Sequence, residues 1–163
     1  ERKMPLFFLE VVREVSRVKP IKAVIIGDGP LKEAVVDRAS TFGGVCTYIG
    51  SLQPKEIIPY YSRSKLLCFP TKLDPWGMVA NEAMASGVPV ITTPYAGVAG
   101  ELIIDGVNGF VLEPSVINWT AAIIEILNDS DKWQQFSQSA LSEVQKYNYD
   151  EAEEGILKAI DYA

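Results

Sequence analysis

FPTKLDPWGMVANEAMASGVPVITT, residues 69–93, holds the order of elements that decides the fold. Leu66–Phe69 reads as the end of a strand, followed by a loop and a short helix from about Gly77 to Ser86. Gly87 then leads into a second apolar strand, Val88–Ile91. Gly77, Met78 and Val79 open the helix, and a helix start presents backbone N–H groups that bind anions such as phosphate. Asp74 and Glu82 bracket that start, and carboxylates accept hydrogen bonds from sugar hydroxyls. An anion cradle beside two hydroxyl acceptors suits a nucleotide-sugar.

Working outward, the same alternation continues. Phe7, Phe8, Val11, Val12, Val15 and Val18 recur at helical spacing and predict an amphipathic helix over Pro5–Val18. Ile21–Ile26 is a β-branched run ending at the turn Gly27-Asp28-Gly29-Pro30, with Pro30 suited to open a helix over Leu31–Ser40. A strand at Val45–Ile49, a helix at Glu56–Ser62 and the strand Leu66–Phe69 follow. Beyond Val88–Ile91 come the loop Thr93–Gly100, a helical turn over Glu101–Ile104, the turn Asp105–Gly109 and the strand Phe110–Leu112. Helices are expected over Val116–Leu127, Asp131–Tyr147 and Asp150–Tyr162, with Trp119, Trp133, Phe136, Tyr147 and Tyr149 as packing residues. Asp150–Glu154 reads as a solvated helix start.

Strands that are apolar throughout and alternate with helices predict an α/β fold, a Rossmann-like parallel sheet with helices on both faces. Ligands of such sheets lie beyond the carboxyl ends of the strands. Gly27, Tyr48–Ser51, Pro70–Trp76 and Thr93–Gly100 all follow strand ends, so one edge should gather them.

Composition removes several chemistries. The 163 residues include no histidine, which excludes Ser-His-Asp and Cys-His machinery, an imidazole base and His-ligated zinc. A net charge of −6 disfavours nucleic acid as a partner, yet leaves room for a small anion at a helix terminus. Cys46 and Cys68 lie in apolar segments without C-x-x-C spacing and read as buried free thiols of a reducing compartment. No apolar run reaches the ~20 residues that cross a bilayer, and no signal peptide is visible, so a cytoplasmic location is expected. The start at Glu1 points to a fragment of a longer protein.

Pro70-Thr71-x-x-Asp74-Pro75-Trp76-Gly77 followed by Glu82-Ala83-Met84-Ala85-Ser86-Gly87-Val88-Pro89-Val90-Ile91 resembles the donor-site signature of retaining glycosyltransferases of family 4, which have the two-domain GT-B fold. Weaker matches extend over nearly the whole chain. The resemblance implies that residues 1–163 form the nucleotide-sugar-binding, C-terminal domain of a two-domain hexosyltransferase acting with retention and without a required metal or cofactor. Its partners would be the NDP-sugar donor and an N-terminal acceptor domain, with peripheral membrane association of the parent possible and polysaccharide biosynthesis as the setting. It further implies that Glu82 accepts from the ribose hydroxyls, that Asp74 contacts the donor sugar, and that Lys3 neutralises the diphosphate. Gly27 would let the backbone approach the donor, while Gly77, Met78 and Val79 supply amides to the diphosphate. The family's E-x7-E becomes D-x7-E here, which shortens the first reader by one methylene. A family arginine on the preceding strand would lie upstream, and Arg2 is not an obvious substitute. Ala96-Gly97 resembles a Gly-Gly that precedes a helix with an acidic residue, here Glu101, and Tyr48–Ser51 would border the base. Two other readings stay open: a GT-B phosphorylase or epimerase, and a non-catalytic nucleotide-sugar-binding module.

Overall fold

The computed structural model describes residues 2–148 and, beyond them, 151, 153, 154, 157, 158, 160 and 162. Tyr149 and much of the helix expected over Asp150–Tyr162 lie outside the described residues. In chain order the elements are α1 (Pro5–Val18), β1 (Ala23–Ile26), α2 (Lys32–Ser40), β2 (Cys46–Gly50) and α3 (Pro54–Arg63). They continue with β3 (Leu67–Phe69), α4 (Met78–Ala85), β4 (Val90–Thr92), β5 (Gly109–Val111), α5 (Val116–Asn128) and α6 (Ser130–Val144).

Every pairing among these strands is parallel, as the apolar runs predict. β1 pairs with β2, Ala23 opposite Cys46 and Ile25 opposite Tyr48, while β4 lies between β3 and β5 with Ile91 facing Cys68 and Phe110. The ladder falls into two blocks, β1–β2 and β3–β4–β5. Helix α1 serves both: Leu9 and Val12 pack with Val35, Ala39 and Cys46, whereas Val11 and Val15 pack with Ile91 and with Trp119 and Ile123 of α5. On the opposite face Val90 meets Ala80, Ala83 and Met84 of α4 and Ala140 of α6. Successive residues of β4 thus point to opposite, helix-covered faces, which is why the strand is apolar throughout. The second face of the β1–β2 block stays open, with Val24, Thr47 and Ile49 exposed.

Some expected boundaries shift for local reasons. Pro30 does not open a helix: α2 starts at Lys32, after the Lys32 amide has closed a turn on the Gly29 carbonyl at 3.0 Å. Helix α3 begins earlier than expected because the Glu56 carboxylate accepts from the Gln53 amide at 2.7 Å, fixing the start at Pro54. Glu101–Ile104 is not helical: the Leu102 and Ile103 amides both turn back onto the Val98 carbonyl, at 3.0 and 2.9 Å, and Ile103 bridges to Ala99. Trp119 and Phe136 are buried, but Tyr147 is exposed and lies against Trp76 with ring centroids 5.5 Å apart. Trp133 is half-buried, donating to the Lys65 carbonyl at 2.7 Å with the Lys65 ammonium 3.8 Å above its ring. Both cysteines are free, and burial pushes the Cys46 thiol up to about 11 and that of Cys68 to about 12.

Candidate functional site

Parallel strands place Gly27, Gly50, the loop after Phe69 and the loop after Thr92 at one end of the ladders. The last two loops are stitched together. Asp74 donates its amide to the Tyr95 carbonyl at 3.1 Å and accepts from the Gly97 amide at 2.9 Å, and Val98 donates to the Trp76 carbonyl at 3.0 Å. Buried hydroxyls secure their roots: Thr93 donates to the Thr71 carbonyl at 2.6 Å and Thr92 to that of Phe69 at 3.0 Å. A Cβ on Gly97 would lie 2.1 Å from the Pro75 carbonyl oxygen, so only glycine allows the two loops to approach.

Gly77 is the N-cap of α4, with φ of 117° and a would-be Cβ 2.7 Å from Cε1 of Phe69. No side chain caps this helix. The Ala80 amide returns to the Gly77 carbonyl at 2.8 Å, whereas the Met78 and Val79 amides have no protein acceptor among the described residues. Asp74 caps its own loop instead, its Oδ1 accepting from the Trp76 amide at 3.2 Å. The first turn of α4 therefore carries two donors without a partner among the described residues, at the positive end of a helix.

Cations stand next to it. Lys3 donates its ammonium to Oδ2 of Asp74, with the Arg2 guanidinium 3.9 Å from the same oxygen. Burial would raise the Asp74 pKa, but the Lys3 hydrogen bond, the Trp76 amide and the charges of Lys3 and Arg2 outweigh it and leave it below the ordinary aspartate value. Lys3 also lies 4.3 Å from the centroid of the Phe69 ring, the ring that touches Gly77. The chain is held there because the Arg2 carbonyl accepts from the Lys72 amide at 2.9 Å.

Glu82 sits about one turn past Met78, exposed, with Tyr61 of α3 donating its hydroxyl to Oε2 at 3.0 Å. Burial first, then the bond and charge of Glu82, raise the Tyr61 pKa and keep that phenol a neutral donor. Of the residues expected at a site, Lys3, Asp74, Gly77, Met78, Val79 and Glu82 thus lie along one helix start and its flanks. Gly27 belongs to the other block, where its amide meets the Gly50 carbonyl at 2.8 Å and its carbonyl accepts from the Tyr48 hydroxyl at 2.7 Å. That last bond turns the Tyr48 hydroxyl inward onto the β1–α2 turn.

Tyr61 and Phe69 are parts of the arrangement that the sequence did not single out, and Arg2, not an obvious substitute for the family arginine, stands 3.9 Å from Asp74. Nothing in the spacing links Tyr61 to Glu82, since the pair forms only through the packing of α3 on α4. A surface hollow between α1 and α2, lined by Arg13, Arg17, Arg38 and Phe42 among others, lies towards the far end of α1 from Lys3. Its arginines are matched by Glu14, at 3.3 and 2.8 Å, and by Glu10 at 3.6 Å.

The family model for glycosyl transferases group 1 matches residues 1–143. The chain belongs to that family. It is 28% identical over 146 residues to sulfoquinovosyl transferase of Arabidopsis thaliana, covering 86% of this chain and 28% of that relative. The C-terminal domain of a glycosyl transferase group 1 family protein from Francisella tularensis superposes with a TM-score of 0.81 at 26% identity, covering 91% of this chain and 81% of that one. A protein of Anabaena solved in complex with UDP has the same fold, with a TM-score of 0.82 at 20% identity over all of this chain and 47% of its own. The fold of this group 1 glycosyltransferase chain is that of the C-terminal half of GT-B enzymes, as the sequence predicts. No helix among its described residues is long and apolar enough to cross a membrane.

Proposed function

We propose that this chain is the donor-binding domain of a two-domain glycosyltransferase that moves a hexosyl unit from an NDP-sugar, with retention of configuration, to a glycan, lipid or small-molecule acceptor. The observation that carries the reading is the pair of amides at Met78 and Val79, without an acceptor among the described residues, with Lys3 on the preceding loop at Asp74 and Glu82 about one turn on. Amides and ammonium stabilise the departing diphosphate, so that preorganised dipoles supply the catalysis without a metal. The Glu82 carboxylate, oriented by Tyr61, accepts from the ribose hydroxyls, and Asp74 belongs to the sugar end of the site. The UDP bound to the Anabaena neighbour agrees with a nucleotide ligand. In the parent protein an N-terminal domain brings the acceptor, in the cytoplasm and in the service of polysaccharide synthesis, with peripheral contact to a membrane. The chain by itself binds donor weakly and does not turn it over.

Calorimetry of the full-length protein against UDP, GDP and ADP tests this. One of the three should bind, and Glu82→Ala should weaken it by about 10–100-fold, as expected for charge-assisted hydrogen bonds of ~1.5–3 kcal/mol. Absence of binding by all three, or an unchanged affinity in the variant, overturns the assignment.

A further inference from the structure

Asp74 is where the chain departs from the paired glutamates of E-x7-E, with aspartate in the first place, and its surroundings explain what the shorter side chain does. Both of its oxygens are engaged by the protein. Oδ1 accepts from the Trp76 amide at 3.2 Å, and Oδ2 accepts from the Lys3 ammonium with Arg2 3.9 Å away. The Asp74 side chain is only 11% exposed, against 46% for that of Lys3. What faces solvent at this point is therefore the cation.

The cation is also aimed. Met4, directly after Lys3, has φ of 45°, the one positive φ outside glycine among the described residues. Backbone strain of this kind persists where the surroundings dictate the path of the chain. Here the turn precedes α1, and the Lys3 ammonium lies 4.3 Å from the centroid of the Phe69 ring, the ring whose Cε1 fills the space a Cβ on Gly77 would take. Counting formal charges, Arg2 and Lys3 against Asp74 leave a net +1 beside a helix start whose amides are open.

We infer that Asp74 is a positioning residue: it holds the Lys3 ammonium beside the first turn of α4 for a diphosphate, and does not itself accept a hydroxyl of the donor sugar. The inference rests on the donor-site reading above and deepens it. A lysine on a four-carbon stem samples many rotamers unless it is anchored. Without its anchor the ammonium is in place for only a fraction of the time, and the apparent affinity for the anion falls by that fraction.

Asp74→Asn is the variant of choice, because its amide oxygen still accepts from Trp76 while the charge that holds Lys3 is gone. The full-length protein, its Asp74→Asn and Lys3→Ala variants and the double variant are titrated with whichever of UDP, GDP and ADP binds, and with its glucose conjugate. Asp74→Asn should weaken the diphosphate and the conjugate by the same factor, about three- to tenfold. It should add less than about twofold once Lys3 is alanine, because contacting groups are not additive. Asp74→Glu should restore most of the loss. A loss confined to the conjugate, or one that multiplies with Lys3→Ala, overturns the inference while the donor-site reading stands. If wild type binds none of the three nucleotides, the donor-site reading fails and takes the inference with it.

Discussion

Lys3, Arg2 and the Trp76 amide all stabilise the ionised form of Asp74, and this makes the loop after β3 sensitive to acid. The folded carboxyl titrates below its unfolded value of 3.8, so its contribution is complete above that value and is lost as pH falls through the depressed folded pKa. Asp74→Asn should therefore melt at a lower temperature than wild type at pH 7, with the gap closing as melts are taken down to pH 3. A gap that is constant or widens on the acid side would contradict the assignment of charge to that contact. Gly77 and Glu82 were legible as single residues, because a glycine before an apolar helix and an acid one turn on are local features. Tyr61 was not, since its partner is 21 residues away and only the stacking of two helices brings them together. Gly97 could be seen as a glycine but not for its reason, which is a carbonyl from another loop in the space of its Cβ.

Helix α3 carries Pro59 in its interior, where the ring removes a backbone donor and crowds the preceding turn. Its side chain is exposed and the helix is short, so the substitution Pro59→Ala should stabilise the protein, by up to about 3 kcal/mol on host scales. Urea melts would read this directly, and an unchanged midpoint would mean that α3 does not melt with the rest. Apolar periodicity placed α1 and the β4 crossover well, because those elements bury whole stripes or whole strands. It misplaced the start of α3, which a carboxylate-to-amide bond sets, and it misread Glu101–Ile104. There the apolar residues Leu102 and Ile103 are buried, but their amides converge on one carbonyl instead of climbing a helix. Tyr147 shows the same limit: helical spacing marked it as core, while in the fold it covers the flank of Trp76.

Over the whole molecule, the two parallel blocks are joined through helix packing more than through the ladder itself. Leu9, fully buried, faces the β1–β2 side, and Val11 and Val15 face β4 and α5. Leu9→Ala should destabilise by about 2–5 kcal/mol, and equilibrium denaturation followed by tryptophan fluorescence, which reports Trp76, Trp119 and Trp133 on the β3–β4–β5 side, should register the whole loss. A fluorescence transition that does not move would show that the blocks unfold separately. The class of fold was legible from alternation alone, while the division of the ladder was not, because apolar runs say which segments are strands and not which neighbours they find.

That shared helix starts with the strained turn at Met4, one residue beyond the ammonium. A rod wedged under two half-sheets, with the Lys3 ammonium just ahead of its first turn, has the layout of a lever. On the donor-site reading, small tilts forced on it from below would shift that ammonium relative to the first turn of α4. Mutations chosen purely to repack the interior would then retune ligand grip without touching a single residue that meets the ligand.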